Sequence, residues 1–490
     1  MPTAQSRENR SPRSAKSIFP IKGFHLNLQP AQAWIAILGL VFFSIVCILA
    51  NAGGILRLAF PVGSFAVGAF LYQRYPMLYL GFTWWIWFLA PLVRRLIDYK
   101  SGWVDPSPVL LAPPLVTLIT FATFVRYLPK SYRMGGLPFI MCFIGVFYAF
   151  FVGIINNSIT GAALSLLGWL TPICLGFHLF VNWRNYPQLR QNMERTFLWG
   201  VLVTGIYGVW QYLVAPEWDR FWLINTDANA FGSPEPLGIR VFSTMNSPQP
   251  FAVCMMAGLL LLFSSKAPSR FIAVGAGYLS FLLSLARSAW FGWFVGFIVF
   301  IPPLKPRLQM RLVLTILLMA ILVIPLTTIE PFSDVINSRI ESFFDTKNDT
   351  SLNARSEAYN QVIGLALSEV LGKGMGNTIN IADFGSNDSG ILSMLFSLGW
   401  VGTIPYLGGI LLIFFSLFQG SEGRFDPFFS AARSIALAVF AQIGLNSVLI
   451  SIFGVILWGF IGIGMAGRKY YLHQNTVGRE NGLHFIHSPP

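Results

Sequence analysis

The sequence predicts an all-α polytopic membrane protein of about 12 to 14 transmembrane helices, with one large outer loop that carries short helices of its own. Composition is the first observation behind this. The 490 residues are 54% hydrophobic and only 11% charged, and a mean hydropathy of +0.62 excludes a soluble globular chain of this length. The second is the recurrence of apolar runs of about 17 to 25 residues, the length that crosses hydrocarbon. These runs lack the two-residue alternation of barrel strands, and a helix satisfies its own backbone polar groups in lipid. The third is the sorting of charge between alternate loops.

The chain opens with a polar, basic segment, 1–33, without the apolar core and cleavage site of a signal peptide; it reads as a disordered cytoplasmic tail. Spans follow at 34–50, 57–72, 76–93, 108–125, 137–152, 161–181, 196–214, 249–264, 270–285, 288–303 and 312–328, so that 34–328 forms an N-terminal helix bundle. The only long polar segment, 329–388, comes next. Spans at 389–419, 434–450 and 451–467 and a basic cytoplasmic tail, 468–490, complete the chain. The run 389–419 exceeds the need of one span, and Gly399, Gly402 and Pro405 can divide it into an interfacial helix plus a span. It is kept as one because two would invert every later loop. Cys47, Cys142, Cys174 and Cys254 all fall inside apolar runs, which suggests neither a disulfide framework nor a metal site.

With the N-terminus inside, the inner segments hold 22 Lys and Arg against 5 Asp and Glu, net +17, and the outer ones 11 against 15, net −4. The two together return the chain's +13, so no formal charge has to sit at mid-membrane. The basic balance is therefore a topology signal, spread over many short loops; it does not form the single patch of a nucleic-acid binder. Ion-coupled transporters keep an ionisable residue within a span. The lack of one here directs the chemistry to the outer surface.

Three outer segments are large enough for a site. The first, 94–107, begins with Arg94 and Arg95. The second, 215–248, holds Glu217, Trp218, Asp219, Arg220, Trp222 and Arg240. The third, 329–388, calls for short helices, one capped at Thr350 or Ser351 and presenting Tyr359, Ile363, Leu367 and Leu371 on one face until Gly372, Gly374 and Gly376 stop it. Gly372-Lys373-Gly374-Met375-Gly376 is not a phosphate loop: no strand precedes it and no Gly-Lys-Ser/Thr ends it. Bases on an acidic outer face need an explanation. Lone ones snorkel, whereas Arg240 before a span opening and Arg287 in a tight turn suit an anion such as pyrophosphate, to which arginine offers a planar fork. Trp218 and Trp222 suit either stacking on a glycan or an interfacial belt.

Several short motifs, in order, resemble the O-antigen ligase/polymerase family (Wzy-like polysaccharide polymerases and O-antigen ligases). They are Arg240-Val241-Phe242 ahead of an Asn246/Pro248 turn, Ala286-Arg287-Ser288-Ala289-Trp290 opening a span, Arg355 in the long loop, and Gly372-x-Gly374-x-Gly376. Asp388-Ser389-Gly390-Ile391-Leu392 with Leu398-Gly399-Trp400-Val401-Gly402 completes the set. The resemblance covers roughly 196–419; Pro91-Leu92-Val93-Arg94-Arg95 also looks like such proteins. It implies a metal-independent, cofactor-free glycosyltransferase in the inner (plasma) membrane, with both termini cytoplasmic and a periplasmic outer face and large loop. The implied reaction moves an oligosaccharide from a polyprenyl-pyrophosphate donor to the hydroxyl of a glycan acceptor. Flippase and chain-length regulator proteins are the partners such an enzyme would have, with the lipid bilayer and no nucleic acid.

In the ligases a histidine eleven residues before the Gly of the Leu-Gly element is the proposed base. That position here is Asp388, with Ser389 following. None of the five histidines replaces it; His178 sits near an inner helix end. The departure speaks against a ligase and leaves a polymerase open. A carboxylate can take a proton from a sugar hydroxyl, and Asp388 can equally cap the helix it precedes; the roles are compatible. The resemblance thus implies Asp388, Arg287 and Arg240 as the catalytic group, with Arg355, Arg94, Arg95, Trp218 and Trp222 binding substrate. The rival readings are an O-antigen ligase and a non-enzymatic transporter of lipid-linked glycan.

Overall fold

The computed structural model describes residues 30–226, 229–302, 306–307, 309–310, 313, 362–377, 380–381, 384–385, 389–420, 423 and 426–480. Among these, nine helices or helical runs are long and apolar enough to cross a membrane. They are α1 (Ala31–Leu49), α2 (Gly53–Arg74), α3 (Pro76–Ser101), a broken run over Pro108–Met134 that contains α4 (Ala112–Leu118) and α5 (Phe121–Ser131), α6 (Leu137–Asn156), α7 (Ile159–Val181), a run over Trp183–Val214 that contains α8 (Tyr186–Val214), α13 (Gly390–Phe418) and α15 (Ser451–Glu480). Four shorter apolar helices accompany them: α10 (Pro248–Leu262), α11 (Arg270–Leu283), α12 (Arg287–Phe300) and α14 (Pro427–Phe440). The polar helix α9 (Glu217–Thr226) lies between α8 and α10. The chain is a multi-pass α-helical membrane protein. Phe42, Leu49 and Ile155 are 70%, 75% and 82% exposed, as lipid-facing side chains are and water-facing ones rarely are.

Local chemistry sets the helix ends. Proline opens α3, α6, α8, α10 and α14, where its missing N–H would have had no partner. The Ser158 hydroxyl caps α7 by accepting from the Gly161 amide at 3.1 Å. Asp426 caps α14 through the Phe428 amide at 3.0 Å.

Three boundaries differ from expectation. α3 continues to Ser101, so Arg94 and Arg95 lie on its last turns and not in a loop. α8 starts at Tyr186, ten residues before the apolar run, because Tyr186, Leu189 and Met193 bury one face of an otherwise polar segment. The span expected at 434–450 is α14 at Pro427–Phe440 followed by turns, since the buried face of α14 includes Ser430, Arg433 and Ser434, which no hydropathy window favours. The expected span 312–328 lies outside the described residues apart from residue 313.

Contacts sort the helix ends into two faces. The Tyr75 hydroxyl meets Gln32 at 3.3 Å, the Asn192 amide meets the Met77 carbonyl at 2.7 Å, and Trp183 packs on His473. These define a tail face. α3 leads from it to a loop face, where α9, the 229–247 segment, the α11–α12 turn, the glycine segment 372–376 and the α14–α15 turn gather. α7 and α15 form the centre, with 72% and 83% of their apolar windows buried. Their backbones touch at Gly176 and Gly462, where an added Cβ would come within 2.3 Å of the Gly176 carbonyl oxygen.

α13 is two helices joined at Gly399, whose φ of 59° and ψ of −175° interrupt the α-conformation. The choice left by the sequence is thereby resolved: a short helix over 390–398 precedes a span over 400–418. The loop-face segment 370–376 clamps the break. Lys373 donates its amide to Phe396 O at 2.7 Å, Val401 to Val370 O at 3.3 Å, and Met375 to Ala149 O at 3.0 Å. Gly372, Gly374 and Gly376 all have positive φ, and a Cβ on Gly374 would lie 2.3 Å from the Gly153 nitrogen. The helical turns stop at residue 368, short of the glycines expected to end them, and the glycines let backbone lie on backbone. The helical face differs from expectation: within 362–368, Val362 and Ala366 are buried against Leu392, Leu395 and Phe396, with Ile363 at the edge, while Leu367 and Leu371 are exposed. Tyr359, Thr350 and Ser351 lie outside the described residues.

Candidate functional site

The loop face is organised around Arg95. The residue is fully buried and forms an ion pair with Asp219 of α9, also fully buried. It donates to the Ser243 carbonyl, and its guanidinium lies 4.8 Å from the Phe242 ring. Asp219 accepts further from Tyr207 at 3.0 Å and Gln211 at 2.7 Å. The Gln211 carbonyl then receives the amides of Phe242 and Ser243 at 3.0 and 2.7 Å, and the Ser243 hydroxyl donates to Thr204 O at 2.6 Å. Burial pushes the Asp219 carboxyl up from its ordinary range, while the Arg95 charge and the Gln211 and Tyr207 donors pull it down without cancelling the rise. This network fixes the segment Val241–Thr244 to α3 and α8, with Ser243 held at φ 50°.

Arg94 supports the same cap from the other side. It bridges Asp98 at 3.2 Å, Asp105 at 2.8 Å and the Val104 carbonyl at 3.1 Å. Its guanidinium stands 5.1 Å from the Trp103 ring and 4.7 Å from that of Trp222. The Trp222 indole donates to Asn246 O at 3.2 Å, and the Trp218 indole donates to the Tyr207 hydroxyl at 2.7 Å. Arg94, Arg95, Trp218 and Trp222 therefore share one architectural assembly. The structure brings these sequence-predicted residues together and gives each a protein partner.

Arg240 is bound to the α11–α12 turn, from which Arg287 opens α12. The Arg240 guanidinium donates to the carbonyls of Ser284 and Leu285 at 3.3 and 3.1 Å, and to Ala230 at 2.6 Å. It thereby satisfies carbonyls at the end of α11 and ties the 229–240 loop to the turn from which Arg287 begins α12. Beside Arg287, the Ser288 hydroxyl receives the Gln249 amide from the first turn of α10 and the Asn446 amide at 3.2 Å from the α14–α15 turn. The Asn446 carbonyl in turn accepts the Gly390 amide at 3.0 Å at the start of α13. First turns of three helices, α10, α12 and α13, converge on this junction. Helix N-termini carry unsatisfied N–H groups and partial positive charge, so the arrangement suits an anion. Asp388 and Arg355 lie outside the described residues; Ser389, which follows Asp388, is the buried N-cap of α13.

The tail face has a polar cluster of a different kind. Asp426 takes Arg190 at 2.8 Å and its own cap amide on one oxygen, and Tyr186 and Tyr471 at 2.7 and 2.8 Å on the other. Four donors saturate that carboxylate, and the cluster joins α8, α14 and α15. His178 is a core histidine: it is buried and its Nδ1 pairs with the Thr123 hydroxyl at 2.7 Å.

Sequence reasoning named Asp219 in an outer segment without giving it a role, and gave none to Gln211, Ser243, Gln249 or Asn446. Asp219 and Ser288 stand inside segments it singled out, but nothing in their spacing reveals partners 124 and 158 residues away. Among the described residues no group of three or more His, Cys, Asp or Glu side chains is placed to hold a metal ion. Fold and site together define a polytopic membrane protein with a polar, helix-end junction on one face. No family model matches the chain, and no curated protein matches it significantly.

Proposed function

We propose that this chain is a polysaccharide polymerase. It would join polyprenyl-pyrophosphate-linked oligosaccharide repeat units at the periplasmic face of the inner membrane, for exopolysaccharide or O-antigen synthesis. The observation that carries the reading is the α11–α12 turn, which Arg240 holds and from which Arg287 opens α12, beside the first turns of α10, α12 and α13. Positive charge and helix-end amides at the edge of an apolar bundle match a lipid pyrophosphate: the chain anchors in the bilayer and the phosphates sit at the loop face. In the reaction the bond from the sugar anomeric carbon to the pyrophosphate oxygen breaks. A new glycosidic bond forms to the acceptor hydroxyl, whose proton passes to a base, for which Asp388 is the candidate. Negative charge accumulates on the departing pyrophosphate, and Arg287 with the helix termini stabilises it without reorganising. Arg240 contributes by holding the turn. The family resemblance in the sequence supports the same reading.

The test supplies purified full-length protein with a lipid-linked repeat unit and resolves the products by size. A ladder supports polymerase. A single transfer to a lipid acceptor identifies a ligase, and the absence of any new glycosidic bond identifies a transporter. Arg287→Ala is expected to abolish the ladder while the protein remains monodisperse; wild-type chain lengths from that variant would remove Arg287 from the site.

A further inference from the structure

The orientation of one hydroxyl at the three-helix junction follows from a chain of hydrogen bonds that begins at a backbone carbonyl. Ala438 O can only accept, so Gln442 turns its Nε2 toward it, at 3.0 Å. The Gln442 Oε1 therefore faces Asn446, whose Nδ2 donates to it at 3.3 Å and to Ser288 Oγ at 3.2 Å. Gly292 leaves room for this arrangement, since a Cβ there would fall 2.3 Å from Gln442 Nε2. Gln249 Nε2 donates to the same Ser288 oxygen. A hydroxyl has two acceptor lone pairs and one proton. With both lone pairs occupied by amide donors, the Ser288 proton is left to donate, and among the described residues no acceptor takes it.

A second hydroxyl stands at the same junction. Ser389 is fully buried, and among the described residues its Oγ has no hydrogen-bond partner. It is the N-cap of the short helix 390–398, whose first amide is bound to the carbonyl of Asn446 at 3.0 Å. An unpaired buried hydroxyl such as that of Ser389 costs free energy of desolvation, and beside the Ser288 proton it marks this junction of helix N-termini as a place for an acceptor. We infer that the Ser288 and Ser389 hydroxyls donate to a phosphoryl oxygen of the substrate, and that Asn446 is the positioning residue that sets both. Its side chain holds Ser288 and its backbone holds the helix behind Ser389. The inference rests on the proposed lipid-pyrophosphate donor and adds neutral, directional donors to the arginines.

The experiment titrates full-length protein in detergent with inorganic pyrophosphate, with farnesyl pyrophosphate as a short-chain lipid form, and with farnesol as the phosphate-free control. Ser288→Ala and Ser389→Ala are each expected to weaken both pyrophosphates about fivefold to tenfold, the effect of one hydrogen bond, and to leave farnesol unchanged. Ser288→Thr is expected to restore affinity. Asn446→Asp, nearly isosteric, is expected to weaken both pyrophosphates more than either serine variant because it sets a carboxylate beside the anion. Wild-type affinity in both serine variants overturns the inference, as does an equal loss for farnesol. Failure of the wild type to bind either pyrophosphate overturns the inference and the proposed donor together; binding by the wild type with insensitive serine variants overturns the inference alone.

Discussion

Removing either member of the Arg95–Asp219 pair separates an architectural role from a substrate-binding one. Both side chains are fully buried. Deleting one leaves the other as an uncompensated buried charge, a loss of about 3–5 kcal/mol. Asp219→Ala leaves Arg95 in that state and also removes the acceptor of Tyr207 and Gln211. Gln211 in turn holds the amides of Phe242 and Ser243, so the disturbance reaches those two amides directly. Their hydrogen exchange is the assay. A local opening made easier by that energy accelerates exchange by roughly two to three and a half orders of magnitude. Arg95→Ala should do the same, and the double variant should cost less than the sum of the two, since the second change removes a charge already stranded. Unchanged exchange at Phe242 and Ser243 in either single variant, or strict additivity in the double, refutes the reasoning. Arg95 would then be available for the substrate role that the sequence suggests.

The remaining predictions concern the same face. The Asp219 carboxyl is raised by burial, so between its ordinary range and its folded value the native state holds the proton that the unfolded state has lost. Cap stability should accordingly fall as pH rises through that window and become flat in Asp219→Asn, with exchange at Phe242 as the measure; a rise with pH contradicts it. Gly374→Ala forces a left-handed side-chain residue, costing about 1–2 kcal/mol, and drives a Cβ to 2.3 Å from the Gly153 nitrogen. Faster proteolysis of 362–377 should follow, and wild-type resistance would disprove the clamp. Arg240→Ala frees the carbonyls of Ala230, Ser284 and Leu285, so a lowered melting temperature should accompany any loss of activity. An unchanged melting temperature would contradict its role in holding the turn.

The membrane class and most spans are legible because apolar length is a property of contiguous residues. What hydropathy cannot register is a helix whose buried face is polar or intermittent. α8 begins ten residues early on Tyr186, Leu189 and Met193, and α14 buries Ser430, Arg433 and Ser434. The loop-face arginines were visible as bases on an acidic face, but their partners were not. Arg95 finds Asp219 across 124 residues, and only packing selects that acid over Glu217, which instead accepts from Tyr99. The glycines 372, 374 and 376 are legible as breaks in regular structure, while their use against Gly153, Ala162 and Gly399 depends on which helices pass behind them.

The two halves of the loop face solve different physical problems. Around Arg95 and Arg94, each cation has a carboxylate and carbonyl acceptors supplied by the protein itself. A site of that kind resists an incoming anion, because binding would have to break buried pairs whose loss costs several kcal/mol. Around Ser288, Ser389 and Asn446 the groups are neutral; among the described residues two hydroxyl protons have no acceptor and no buried carboxylate stands there, and three helix N-termini add partial positive charge. An anion enters such a site by gaining bonds without breaking any. Arg94 and Arg95 therefore tie α3 to α9 and to the segment 241–244. On the proposed function, the junction of α10, α12 and α13 is where a pyrophosphate would sit.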